Sequence, residues 1–314
     1  MRILVVGAGA VGGYFGGRLC LSGHDVTFLV RARRASELTE NGLVVEGPHG
    51  DFKIATPSTV QANQIKQPFD LILLSCKAYG LEESIESFAP AVGSTTKILP
   101  LLNGMRHLKV LDDRFGADKV FGGQCVISAT LDDRGVIRQL TPAHSITYGA
   151  RQKAQAQSAA SVHDALQNAG FELNRSEEII LQMWEKWVFL ATLAGSTCLC
   201  RGPLGAIISA PGGQELVLGM FAECREIAAA AGYAPRTSFV ERSLSMLSER
   251  NSLLKASMLR DVERGAPTEA DHIIGDLILR AADQARVPLV KLAYTHLSVY
   301  EHERKAALRT AASV

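Results

Sequence analysis

Three glycines near the start of the chain, in Gly7-Ala8-Gly9-Ala10-Val11-Gly12, have the spacing with which a main chain cradles a pyrophosphate. Gly7 permits the tight turn, Gly9 lets the backbone approach a phosphate, and Gly12 lets the next helix sit close on the preceding strand. The helix start at Ala10 and Val11 offers free N–H groups to the same anion. Val30-Arg31, followed by Arg33 and Arg34, stands where NAD-selective sites place an acid, about twenty residues beyond the glycines. A guanidinium there favours a 2′-phosphate through charge-assisted bidentate hydrogen bonds; a solvated basic cluster is the plainer alternative. The expected cofactor is NADP(H), with Arg31 as its reader. Lys77 and Asn103 each close an apolar run, and ligands of open parallel sheets bind beyond the carboxyl ends of the strands. The glycine turn, Lys77 and Asn103 are therefore expected around one crevice.

These residues need elements to hold them. Arg2-Ile3-Leu4-Val5-Val6 reads as a short strand, Gly13 to Gly23 as a helix packing Phe15, Leu19 and Cys20, and Asp25 to Val30 as a second strand. Arg2 ahead of an apolar run would also suit a secretory signal, but no cleavage pattern follows, and Arg18, His24 and Asp25 interrupt it. A polar stretch with Gly42, Gly47, Pro48 and Gly50 comes next, with a small hairpin predicted from Leu43-Val44-Val45 and Phe52-Lys53-Ile54. Asp70 to Cys76 reads as a buried parallel strand, Gly80 to Ala89 as a helix, and Lys97 to Leu102 as the next strand. Val120 to Ala129 and Ser145 to Tyr148 read as strands separated by a turn at Asp132-Asp133-Arg134-Gly135. Ser158 to Ala169 is helical in pattern, and Phe171-Glu172-Leu173 is a last short strand.

From Ser176 onward strand signals give way to a period of about 3.6 residues. Ser176-Glu177-Glu178 reads as a helix cap with acids in the first turn. Breaks at Gly202-Pro203, Pro211-Gly212-Gly213, Gly232, Gly265-Ala266-Pro267 and Pro288 divide the remainder into five or so helices. Thr268 is the expected N-cap of the helix through Ile273 and Leu277, with Glu269 and Asp271 in its first turn. Ser257 and Asp261 share a face of the preceding helix. The predicted fold is α/β: a Rossmann-type doubly wound domain over residues 1–175, then an all-helical domain over residues 176–314.

With 314 residues, 47% hydrophobic and 21% charged, and a net charge of +1, the chain can bury two cores. That balance gives no support to nucleic acid or an anionic membrane as partner. Its apolar run from Trp187 to Gly195 is too short to span a bilayer. The six cysteines form no CxxC pair and have no zinc spacing with the dispersed histidines, so no metal is expected. Scattered thiols in apolar segments fit a reducing cytoplasm.

With these residues in place, the chain resembles the ketopantoate reductases (2-dehydropantoate 2-reductases) over nearly its whole length. The likeness rests on Gly7 to Gly13, Arg31, Cys76-Lys77-Ala78, Asn103-Gly104-Met105, Trp184-Glu185-Lys186, Ser257-Met258-Leu259-Arg260-Asp261 and Pro267-Thr268-Glu269. The resemblance implies a Rossmann domain followed by a helical domain, with an active site between them. It also implies NADPH-dependent reduction of a 2-oxo acid to a 2-hydroxy acid, with ketopantoate as the default substrate and pantothenate biosynthesis as its setting. A homodimer is left open.

Carried over by position, the resemblance makes Lys186 the general acid that protonates the forming alkoxide, and gives Glu269 the task of holding substrate or lysine. Asn103 and Lys77 fall around the nicotinamide and its ribose, and Ser257 touches the substrate carboxylate. The chemistry asks for these residue types independently. Hydride arriving at a carbonyl carbon leaves negative charge on oxygen, which a positioned cation stabilises and protonates. Lysine can give up its proton near neutrality when desolvated, and arginine cannot. The plainer alternatives are a solvated helix lysine at 186 and a dipole-stabilised carboxylate at 269.

In one respect the chain departs from the family. Where the family carries asparagines four and eight residues after the lysine, this chain has Leu190 and Ala194. The substrate-binding wall is then apolar, and a missing amide can cost orders of magnitude in discrimination. A more apolar 2-oxo acid or another activated carbonyl fits that wall. A hydroxyacid dehydrogenase of the related lysine-using group, or a non-catalytic NADP(H)-binding redox sensor, are the remaining alternatives.

Overall fold

The computed structural model describes residues 1–312. It separates into two compact units, one of residues 1–102 and 107–180, the other of residues 103–106 and 181 onward. In chain order the first part holds β1 (Arg2–Val6), α1 (Ala10–Leu21), β2 (Asp25–Leu29), α2 (Ala32–Asn41), β3 (Leu43–Glu46), β4 (Phe52–Ile54), β5 (Thr59–Val60), β6 (Phe69–Leu74), α3 (Leu81–Phe88) and β7 (Val92–Pro100). There follow α4 (Arg106–Phe115), β8 (Gly122–Leu131), β9 (Ile137–Gly149), α5 (Ala156–Ala165) and β10 (Glu172–Arg175).

Five strands form a wholly parallel sheet in the order β5-β2-β1-β6-β7. Ile3, Leu4, Val5, Leu71, Ile72 and Leu74 are fully buried, as continuous apolar strands covered on both faces must be. The strand order reverses between β1 and β6, so Gly7 and the Ser75–Lys77 segment flank the switch point where such sheets bind ligands.

A second sheet runs β10-β9-β3-β4, with β8 paired to β9. The expected hairpin forms, pairing Leu43 with Ile54 and Val45 with Phe52, and it joins this second sheet by way of β9. Strands β8 and β9 extend beyond the predicted pair and meet at the turn at Asp132, whose carboxylate accepts the Arg134 and Val136 N–H groups.

Helix α1 lies between the two sheets, which explains its glycines. A Cβ at Gly16 would lie 2.5 Å from the Phe28 ring of the first sheet, and one at Gly13 would lie 2.4 Å from Ile137 of the second. Helix α2 runs where the sequence suggests only a polar stretch after Arg34. It buries Leu38, with Ala35 half-buried beside it, so its two faces are set by where the charges fall rather than by a run of large apolar residues.

The second part is helical: α6 (Ile179–Cys200), α7 (Leu204–Ser209), α8 (Gly213–Ala230), α9 (Thr237–Leu247), α10 (Ser257–Glu263), α11 (Asp276–Leu279) and α12 (Pro288–Ala312). Helix α6 starts at Ile179, and the Ser176 hydroxyl accepts the Glu178 N–H in the bend before it. Among the described residues no helix is long and apolar enough to cross a membrane.

Thr268 does not cap a helix as expected. Its N–H and hydroxyl both donate to the Glu301 carboxylate of α12, at 2.6 and 2.9 Å. The residues beyond it wind as a π-helical turn, Asp271–Gly275, before α11. A distant acid outbid the local cap, because it satisfies the N–H and the hydroxyl of Thr268 together.

Burial raises the Glu301 carboxyl, but the Thr268 and Arg304 hydrogen bonds outweigh it and hold the group below its ordinary 4.5. A depressed carboxyl stabilises the fold above its unfolded pKa and loses that contribution as pH falls through the folded one. Glu301→Gln is therefore expected to cost about 1 kcal/mol at pH 7. Denaturant melts of both proteins should converge as pH falls from the ordinary 4.5 down through the lower value of the folded carboxyl.

Candidate functional site

In the first unit a cavity of about 680 Å³ opens beyond the carboxyl ends of β1 and β2. Gly7, Gly9, Arg31, Asn63, Cys76 and Glu83 are among the residues lining it. Gly7 has a positive φ of +92° and donates its N–H to Leu29 at 2.9 Å, turning the chain sharply out of β1. Gly9 stands at the N-cap of α1, which has no side-chain cap and no acid in its first turn. A Cβ added at Gly9 would meet no protein atom within 4 Å. The protein's own packing gives no reason for glycine there, whereas an anion drawn to the exposed N–H groups would.

Gly12 is different. Its added Cβ would lie 2.2 Å from the Gly7 carbonyl oxygen and 2.2 Å from the Ser75 hydroxyl, which donates to Val6 at 2.9 Å. Ala10, Val11 and Gly12 form the first turn of α1 and are not among the lining residues.

The basic cluster splits by role. Arg31, immediately before α2, lines the cavity and donates to Glu83 of α3 at 2.5 Å. Arg34 is a strut: largely buried, it bonds the Ala8 carbonyl at 3.2 Å, Glu37 at 3.1 Å and the Gly135 carbonyl at 3.3 Å. Arg33 pairs with Glu37 on the outer face of α2. Lys77, half-buried, follows cavity-lining Cys76 and begins the short turn 78–80, its carbonyl accepting the Gly80 N–H at 2.9 Å.

In the second unit the neighbours of Lys186 fix its turn of α6. Glu185 is buried and accepts the Arg236 N–H at 3.0 Å and its guanidinium through Nε at 2.8 Å and through Nη2. Trp187 is buried and donates its indole N–H to the Ile273 carbonyl at 2.8 Å. The Arg280 guanidinium covers both Trp184 and Trp187, and Tyr233 stacks on Trp184. Lys186 itself is half-buried. Leu190 and Ala194 follow one and two turns on, the first half-buried and the second buried.

Glu269, buried, leads into the π-helical turn, and its carbonyl accepts the N–H groups of His272 and Ile273 at 3.1 and 2.9 Å. Because Ile273 is the acceptor for Trp187, the turn behind Glu269 is packed against the stretch of α6 that carries Lys186. His272 is buried and its ring is bonded to the backbone of Asn103. A Cβ at Gly104 would lie 3.0 Å from the His272 ring, so Asn103 and Gly104 press directly on this turn. Burial pushes the imidazole down, ahead of the opposing pull of Glu269 and Asp276, and keeps it neutral at pH 7.

The structure thus gathers Gly7, Gly9 and Arg31 around one cavity. It brings Asn103, Glu269 and the Lys186 stretch of α6 into the second unit. Ser257 stands exposed in the first turn of α10. Two residues of these sites carry no signal in the sequence. Glu83 looks like one of several acids in an amphipathic helix, and His272 like a scattered histidine; neither has a motif that marks it.

Both halves of the chain have counterparts among known proteins. The family described as Ketopantoate reductase PanE/ApbA matches residues 3–153, and its C-terminal counterpart matches residues 178–301. The chain is 34% identical to the "Uncharacterized oxidoreductase YkpB" of Bacillus subtilis, over 97% of this chain and 100% of that protein. It is similar to the crystal structure of 2-dehydropantoate 2-reductase from Geobacter metallireducens, with 28% identity and a TM-score of 0.86 over 95% of this chain and 99% of the other. A D-mandelate dehydrogenase solved with NADH and anilino(oxo)acetate shares the fold at 21% identity, with a TM-score of 0.86 over 97% and 100% of the two chains.

Proposed function

Because the chain belongs to the ketopantoate reductase family, oxidoreductases acting on CH–OH groups, we propose that it reduces a 2-oxo acid to a 2-hydroxy acid with NADPH. The default substrate is 2-dehydropantoate. In this reading residues 1–175 bind the cofactor, residues 176–314 bind the substrate and deliver the proton, and the enzyme works in the reducing cytoplasm. The observation that carries it is the way Lys186 is held. The residue before it is anchored to Arg236 and the residue after it to Ile273, so the turn of helix between them has a fixed rotation and register.

The residues fit the cofactor on two grounds: the open space in front of Gly9 and the uncapped start of α1. Gly7, Gly9 and the first N–H groups of α1 at Ala10 and Val11 would hold the pyrophosphate, with Gly12 letting α1 sit close enough to β1 to present them; Arg31 would hold the 2′-phosphate, and Lys77 and Asn103 the nicotinamide ribose and ring. When bound, the dinucleotide supplies the hydride. Lys186 donates its proton to the oxygen that gains charge, which converts electrostatic stabilisation into a neutral hydroxyl. Glu269, buried, keeps the lysine or the substrate in place, and the His272 bond to the Asn103 backbone fixes the Asn103 side chain's origin. Ser257 contacts the substrate carboxylate.

Leu190 favours a second reading, in which the preferred 2-oxo acid is more apolar than ketopantoate. A hydroxyl facing that leucine has no amide to pair with, while an alkyl or aryl group gains burial. NADPH oxidation should be followed over a panel running from ketopantoate to branched and aromatic 2-oxo acids. Leu190→Asn is expected to move the kcat/KM ratio toward ketopantoate by about tenfold. Equal ratios in both proteins would remove Leu190 from substrate choice. Tight NADPH binding with no turnover across the panel would point to a sensor instead.

A further inference from the structure

We propose that Glu83 and Arg31 together read the ribose 2′ position of the dinucleotide, Glu83 accepting the 2′-hydroxyl of the unphosphorylated form and Arg31 taking the 2′-phosphate. The proposal rests on the reading of the cavity as a nucleotide site. Its consequence is that the chain accepts both forms, and that Glu83 keeps the preference for the phosphorylated one small.

The two side chains converge on the cavity from different crossovers, Arg31 from the start of α2 and Glu83 from the first turn of α3, 52 residues apart. Sites selective for NAD place a carboxylate at the end of the second strand to accept the ribose hydroxyl. Here that position belongs to Arg31, and α3 delivers the carboxylate to the same place. The ion pair is 2.5 Å long, but its side chains are 78% and 64% exposed, so water competes for both partners and the pair opens at little cost. Arg34, the other cation lining the cavity, is committed to Ala8, Glu37 and Gly135. Arg31 is therefore the one that exchanges a carboxylate for a phosphate.

A 2′-phosphate carries nearly two negative charges and must both displace Glu83 from Arg31 and remain beside it. A 2′-hydroxyl meets no repulsion and finds an acceptor. Glu82 supplies a control. It shares the first turn of α3 and the same charge, is exposed, and does not line the cavity.

The test is calorimetric titration of the full chain with adenosine 2′,5′-bisphosphate and with 5′-AMP, for the native protein, Glu83→Gln and Glu82→Gln. Both replaced side chains are exposed, so the fold should be unaffected. In Glu83→Gln the bisphosphate should bind about fivefold tighter and 5′-AMP no tighter, widening the ratio of their dissociation constants. Glu82→Gln should change that ratio by less than about twofold. An unchanged ratio in Glu83→Gln, or an equal shift in Glu82→Gln, overturns the proposal while leaving the nucleotide site standing. If neither nucleotide binds the native chain, the site itself is refuted and the proposal with it.

Discussion

Lys186→Ala is expected to lower kcat/KM for the preferred 2-oxo acid by at least about a hundredfold while leaving the dissociation constant for NADPH within about twofold. The loss should fall on kcat, because the proton is needed only once charge has formed on the substrate oxygen. Lys186→Arg sharpens the test. It keeps the positive charge but holds its proton too tightly to donate it, so it should recover substrate binding and little of the turnover. Stopped-flow single-turnover measurements of NADPH oxidation separate the chemical step from product release. Native single-turnover rates in Lys186→Ala would end the assignment of Lys186 as the acid. The anchoring of Glu185 and Trp187 also means that the helix register should survive either replacement.

Alanine at two glycines of the same loop should give opposite phenotypes. At Gly12 the new methyl would sit 2.2 Å from the Gly7 carbonyl oxygen and from the Ser75 hydroxyl, so α1 must back away from the parallel sheet. The second sheet blocks that retreat, since the opposite face of α1 already contacts Ile137 at Gly13 and Phe52 at Gly17. A cost of about 3 kcal/mol is expected, lowering Tm by roughly 5–10 °C. Gly9→Ala puts its methyl into open space at a φ of −87°, which alanine adopts without strain. Its Tm should stay within about 1 °C of native, while NADPH affinity falls at least about tenfold because the methyl stands where a phosphate must approach. Thermal melts with and without NADPH read both outcomes together. A Gly9→Ala protein that still gains native stabilisation from NADPH would remove the phosphate from that position.

Much of the fold is legible in the amino-acid sequence, for a physical reason. Strand, glycine turn, helix and second strand are contiguous, so apolar periodicity and steric demand are written over some thirty residues. The hairpin from Leu43 to Ile54 is legible in the same way. Helix α2 is not, because Leu38 is its one large buried residue and its inner face is marked mostly by the absence of charge. Thr268 fails as a cap because the rule is local and the competing acceptor, Glu301, comes from another helix.

By itself the sequence determined the parallel nucleotide-type sheet, the glycine turn at its first strand, the helical second half and the residues that could carry a proton or a phosphate. Side-chain spacing along one element settles which face is buried and which turns are possible, and those facts need no knowledge of distant residues. Tertiary structure alone decided which partner each of those residues meets. It set Glu83 against Arg31, Ile273 against Trp187 across 86 residues, His272 against Asn103, and α1 between two sheets. Such pairings depend on how whole elements pack, and a hydrogen bond between residues far apart in sequence leaves no periodic trace in either segment.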